Sequence, residues 1–129
     1  MSKFELYHPI LTPHYQLNWL THFKAKDVND LRQKINPDET MIETANYINR
    51  EMSTVMNDKA LTWGVSDKQT DQFMGIVRLA PLTDHFKETL LTITSASEDN
   101  TMLVSEIRTY MTEFSKNELH SEQLKIELK

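Results

Sequence analysis

Between Phe4 and Leu128 the spacing of apolar residues switches between two and three-to-four, and each switch marks a new element. Phe4, Leu6, His8 and Ile10 alternate with Glu5, Tyr7 and Pro9, which predicts a strand over 4–10, with Pro9 at an edge or end. Thr12-Pro13 predicts a helix start, because threonine caps free amides and proline has none to waste in the first turn. Leu17, Leu20 and Phe23, then Val28, Leu31 and Ile35 after the polar break 24–27, predict two short helices with a bend. Asn36-Pro37-Asp38-Glu39 carries a cap, a first-turn proline and acids at the positive end of a helix dipole, with Glu39 placed for a capping box. A helix is predicted from there to about Asn57, its apolar side made by Met41, Ala45, Ile48, Met52 and Val55.

At Ala60 the period drops to two. Leu61, Trp63 and Val65, a polar turn at 67–71, and the apolar run 73–79 predict an antiparallel hairpin. A connection over 80–87 leads to a strand over 88–95. Asn100 caps a predicted helix whose stripe is Leu103, Ile107, Tyr110, Met111 and Phe114. Leu124, Ile126 and Leu128 make a last strand, and a strand, helix and strand in succession imply a right-handed crossover with a parallel pair. The predicted class is α/β (α+β): strand, helices, three strands, helix, strand, with the helices packed on a mixed sheet in a single domain over 1–129.

Composition narrows the chemistry. With no cysteine among 129 residues, disulfides, zinc-thiolate sites, iron–sulfur clusters and thiol nucleophiles are excluded, and a cytoplasmic location is expected. No apolar run reaches the roughly 20 residues that span a bilayer, and the first residues lack the apolar core of a signal peptide. A net charge of -5 repels nucleic acid. Lys24, Lys26, Arg32 and Lys34, with Asp27 and Asp30 among them, read as an ordinary solvated face. Both glycines, Gly64 and Gly75, sit in apolar segments, so no glycine-rich phosphate loop, Rossmann fingerprint or Walker motif can be written. The histidines at 8, 14, 22, 85 and 120 include no His-x-His or His-x-x-x-His pair, and no metal is expected. Met41 and Met52 read as core filler.

Leu6-Tyr7-His8-Pro9-Ile10-Leu11-Thr12-Pro13 is similar to the opening of one group of enzymes, and 61–68 with 73–79 is similar to their central hairpin. These are the GNAT N-acetyltransferases, and within them the branch that acetylates ribosomal-protein amino termini and related amines. The resemblance implies acetyl-CoA as cofactor, held at the helix start after the fourth predicted strand, with Ile93, Ser95, Asn100, Thr101 and Met102 in the matching positions. The anion site of a helix N-terminus is the physical basis. Here that turn is Ser97-Glu98-Asp99-Asn100, with two acids and no glycine, so side chains and like charge oppose a pyrophosphate. The resemblance also implies a further helix and strand pair, carrying much of the acceptor groove, whereas this sequence ends at Lys129.

Acyl transfer from a thioester to an amine needs a base, a polarised carbonyl and a proton for the leaving thiolate. Glu88 at the start of the fourth predicted strand, with His85 in the loop before it, is the candidate base; Glu88 is equally an ordinary charged strand end. Three roles stay open. The first is an acetyltransferase-like domain with a degenerate cofactor site and a binding or regulatory role. The second is an active N-acetyltransferase for a protein N-terminus or small amine, which a pocket between the fourth and fifth predicted strands would favour. The third is a structural or interaction protein unrelated to acetyl transfer. A homodimer is expected, built either on the edge of the last predicted strand, where Lys125, Glu127 and Lys129 share one face, or on the surface that the family's further strand pair would cover.

Overall fold

A six-stranded mixed sheet carries the molecule in the computed structural model, which describes residues 3–129. Its strands are β1 (Ile10–Leu11), β2 (Tyr15–Trp19), β3 (Leu61–Asp67), β4 (Phe73–Pro81), β5 (Glu88–Ser95) and β6 (Gln123–Leu128), and they lie in space in chain order. Neighbours are antiparallel except β5 and β6, which are parallel and joined through a helix, as the change of period predicted. The helices are α1 (Ala25–Arg32), α2 (Met41–Met56) and α3 (Thr101–Glu118).

The central and C-terminal elements follow the apolar pattern closely. β3 and β4 form the expected hairpin, with a register shift between Val65 and Ser66, and β5 has the expected bounds. Asn100 occupies the cap position of α3, but its side chain bonds no helix amide.

The first forty residues require correction. Residues 4–10 are not one strand: Phe4–Leu6 is a 3₁₀ turn, because the Asp58 carboxylate accepts from the Phe4 amide at 2.9 Å and draws that segment out of any ladder. Thr12-Pro13 starts a tight turn into β2 rather than a helix. The Thr12 amide donates to the Tyr15 carbonyl at 2.9 Å, and the Tyr15 amide to the Thr12 hydroxyl at 3.1 Å. Tyr15, Leu17 and Trp19 are then buried alternately, and Trp19 lies opposite Trp63 with the rings stacked at 6.0 Å. Leu17 fitted either period; pairing with β3 decided for the strand. α1 consequently begins at Ala25, inside the polar stretch expected to be a break.

Asn36 does not start α2 either. Thr40 is its cap, and it shares a capping box with Glu43, each accepting from the other's amide at 3.1 and 3.0 Å. Glu39, freed from capping, is buried. The inward side of α2 is Thr44, Ile48, Glu51 and Val55; Met41 and Ala45 are exposed, so Met41 is not core filler, while Met52 does pack on the core.

The sheet is covered on both faces. One face presents Leu61, Trp63, Val65, Val77, Leu79, Leu91 and Ile93 to α3 through Leu103, Ile107 and Met111, with Phe4 and Tyr7 filling in. The other presents Thr62, Gly64, Ile76 and Arg78 to α1 and α2. Gly64 is dictated there, since a Cβ would stand 2.4 Å from a carbon of the Phe23 ring.

Candidate functional site

The residues that resemblance assigns to a cofactor gather at the C-terminal end of β5. The Ser95 hydroxyl donates to the Ser97 carbonyl at 2.7 Å and accepts from the Ser97 amide at 3.1 Å, closing a tight turn. Glu98 and Asp99 stand exposed beyond it, then Asn100, Thr101 and Met102 open α3. Ile93 is different in kind: its side chain is buried, and its carbonyl accepts from the Lys129 amide at 3.0 Å. β5 and β6 stay paired from Glu88 opposite Gln123 to Ile93 opposite Leu128. The backbone leaves no gap between them over that length.

Glu88 and His85 lie at the other end of the strand. Seven steps of strand separate Glu88 from Ser95, about 23 Å at about 3.3 Å per residue. Glu88 lines a hollow of about 400 Å³ with Thr83, Lys87, Glu122 and Gln123. His85 lines another, about 550 Å³, over Phe4, Phe86 and Leu119. His85 adopts a left-handed conformation, φ 60°, in the 3₁₀ turn Asp84–Phe86. The structure thus brings neither candidate to the cofactor residues and opens the two into different hollows.

A cleft of about 540 Å³ does lie beside the end of β5, between α1, the β3–β4 turn and Ala96. Its walls carry Lys24, Asp27, Asp30, Lys34 and Asp71 around Phe23 and Phe73, and the Lys34 ammonium donates to the Ala96 carbonyl. The charge pattern predicts a plain solvated face here, whereas Lys24, Asp27, Asp30 and Lys34 line a cleft. The available signal was the spacing of Asp27, Asp30 and Lys34, which places them on one side of the chain as it leaves α1.

The buried ionisable groups form a separate layer under α1 and α2. Arg32 meets the buried Glu39 through two guanidinium nitrogens, at 3.0 to 3.2 Å, and the Thr44 hydroxyl donates to Glu39 at 2.7 Å. Burial pushes the Glu39 carboxyl up, but the Arg32 and Thr44 bonds and the Arg32 charge outweigh it and hold the group below its ordinary 4.5. Glu51 accepts from Arg78 at 2.8 Å and Thr62 at 3.1 Å. Between these pairs lies Tyr47, the Arg32 guanidinium 3.9 Å from its ring centre; burial, aided by Glu51, pushes its phenol up to about 12. Among the described residues no buried side-chain nitrogen or oxygen lacks a partner, so this layer is built as architecture. On the opposite face Glu106 ties α3 to the turn before β2, accepting from the Thr12 hydroxyl and the His14 amide and meeting the His14 ring at 2.7 Å. Among the described residues no three His, Asp or Glu side chains converge as metal ligands, and no helix is long and apolar enough to cross a membrane.

No family model and no curated protein matches the sequence. Solved structures do match the fold. A putative ribosomal-protein-serine acetyltransferase from Vibrio cholerae superposes with a TM-score of 0.71 at 20% identity, over 92% of this chain and 72% of that one. A spermidine N-acetyltransferase from Vibrio cholerae, in complex with CoA and spermine, gives 0.70 at 16% identity, over 88% and 70%. A GNAT-family acetyltransferase from Bacillus anthracis gives 0.66 at 14%, over 90% and 70%. The chain has the fold of the GNAT acetyltransferases.

Proposed function

We propose that this chain is an acetyltransferase-like domain whose acetyl-CoA site is degenerate and whose role is binding or regulation. The observation that carries the reading is the unbroken ladder between β5 and β6, closed by the Lys129 amide on the Ile93 carbonyl at 3.0 Å. A thioester arm lodged between parallel strands needs a gap and free backbone groups, and from Glu88 to Ile93 both are taken up by strand pairing, with Thr94 and Ser95 past the last pair. Glu98 and Asp99 add to it. Two exposed carboxylates just before the amides of α3 offset the partial positive charge that draws a pyrophosphate to a helix start. The residues present do not fit the cofactor. Isothermal titration with acetyl-CoA tests this: no saturable heat is expected, and binding tighter than about 1 mM overturns it.

A second reading, an active N-acetyltransferase for a protein N-terminus or small amine, is favoured by the cleft beside Ala96. Asp27, Asp30 and Asp71 on its walls suit a cationic amine, and one fold neighbour is a spermidine N-acetyltransferase. The same titration separates the two.

A further inference from the structure

The outer edge of β6 has a direction and a charge order that select one partner. In a parallel ladder, alternate residues aim both their N–H and C=O at the neighbouring strand. The Gln123 amide donates to the Lys87 carbonyl at 3.2 Å and the Lys129 amide to the Ile93 carbonyl at 3.0 Å. The odd-numbered residues of β6 therefore face β5, and the N–H and C=O groups of Leu124, Ile126 and Leu128 face outward. Among the described residues no strand lies beyond them. The opposite edge of the sheet is only the two-residue β1.

We propose that this edge is an interface between two copies of the chain, paired antiparallel about a two-fold axis at Ile126. The choice of register follows from charge. With Ile126 facing Ile126 of the second copy, the outward groups of Leu124 and Leu128 meet across the axis, and Lys125 stands opposite Glu127 of the second copy, twice over. Those two positions are the non-hydrogen-bonded pairs, where strands bring side chains closest, about 4.5 Å between Cα atoms. Centring the axis on Lys125 sets that lysine against itself. Centring it on Glu127 sets Glu127 against itself and Lys125 against Lys129. Registers centred between residues aim the outward groups of one copy at residues whose own groups face β5. Centring the axis on Leu128 also sets Glu127 against Lys129, and centring it on Leu124 opposes no like charges, but each lays only three residues of the strand and its end against the second copy; the Ile126 register satisfies ladder and charge over the longest stretch of β6.

Apolar burial agrees with it. Leu124 and Ile126 pack on the core from the α3 side, while Leu128, on the same side of the strand, is 57% exposed. In this register Leu128 lies beside Leu124 of the second copy. A contact of one short strand pair is small, so a dissociation constant on the order of 10 µM is expected. The Glu127–Lys129 pair at 3.5 Å is exposed and offers little resistance to exchange.

Sedimentation velocity across a concentration series to about 200 µM should show reversible growth towards twice the 15.1 kDa chain mass. Lys125→Glu and Glu127→Lys should each weaken the dimer about tenfold, since each converts two attractive pairs into repulsive ones. An equimolar mixture of the two variants should restore it, because the mixed pair again sets acid against base. Ile126→Pro removes an amide that faces away from β5, so it should abolish the dimer while circular dichroism shows the fold retained. Should that variant not fold, the charge-exchange pair still decides. Mass equal to the monomer throughout overturns the proposal, as does a dimer indifferent to both charge reversals or one that the mixture fails to rescue.

Discussion

The two faces of the sheet are held by different physics. Under α3, contact is among apolar groups: Trp63, Leu79, Leu91, Ile107 and Met111 are fully buried, with the Phe114 ring set edge-on to Trp63 at 5.6 Å. Under α1 and α2, apolar contacts such as Val28, Leu31 and Ile76 are threaded by Arg32–Glu39–Thr44 and by Arg78–Glu51–Thr62. Close packing loses energy in proportion to the volume removed. A buried polar network fails differently, because losing one member strands the others without partners. One sheet thus has a face that yields gradually and a face that yields by whole contacts.

The largest effect should come from the packed face: Trp63→Ala is expected to cost about 3 to 5 kcal/mol in urea unfolding. A loss near that of an exposed alanine substitution would deny that this face is the main core. Next, Glu51→Ala should cost about 1 to 3 kcal/mol by leaving Thr62 and Arg78 short of an acceptor. Replacing Glu51 and Arg78 together by leucine should cost less than the sum of the single changes, with a coupling of about 1 kcal/mol. Additive losses would mean that the polar face is no network. Ile107→Val should cost about 0.5 to 1.5 kcal/mol and add to Glu51→Ala, the two lying on opposite faces.

The smallest effect is one of pH. Glu39 and Glu106 both have folded values held below 4.5 by hydrogen bonds that outweigh burial. Each therefore contributes stability that is present above its unfolded value and lost as pH falls through the folded one. Unfolding free energy should decline on acidification below about pH 4.5. Glu39→Gln should flatten that decline, and an unchanged slope would show that the Arg32 pair does not couple to folding.

The packed face was legible in sequence and the polar one was not. Leu61, Trp63, Val65 and the α3 positions Leu103, Ile107 and Met111 announce their partners by period, because those inward positions are apolar; Tyr110, expected on the same stripe, is exposed, and the buried Ser115 was not foreseen. Glu51 and Arg78 look like surface residues, and Arg32 and Glu39 are too far apart for any helical pair rule, so their meeting is decided by how α1 crosses α2. Residues 12–24 misled for a related reason: a turn made by the Thr12 side chain imitates a helix start, and only pairing with β3 distinguishes them. For the site, the sequence indicated the acids before α3 but not that β5 and β6 stay paired beyond Glu88, nor that Glu88 and Ser95 lie at opposite ends of one strand.

The coincidence of strand order with chain order bears on how the molecule is made. A chain emerging from a ribosome completes β1 with β2, β3 with β4 and β4 with β5 through short connections, so each new strand finds its neighbour already in place. Only two steps require long excursions to return: β2 to β3 by way of α1 and α2, and β5 to β6 by way of α3. Closing such loops costs entropy that rises slowly with length, so these two closures, not the hairpins, should set the pace of folding. The sheet grows in one direction, and its open edge during synthesis is always the strand added last.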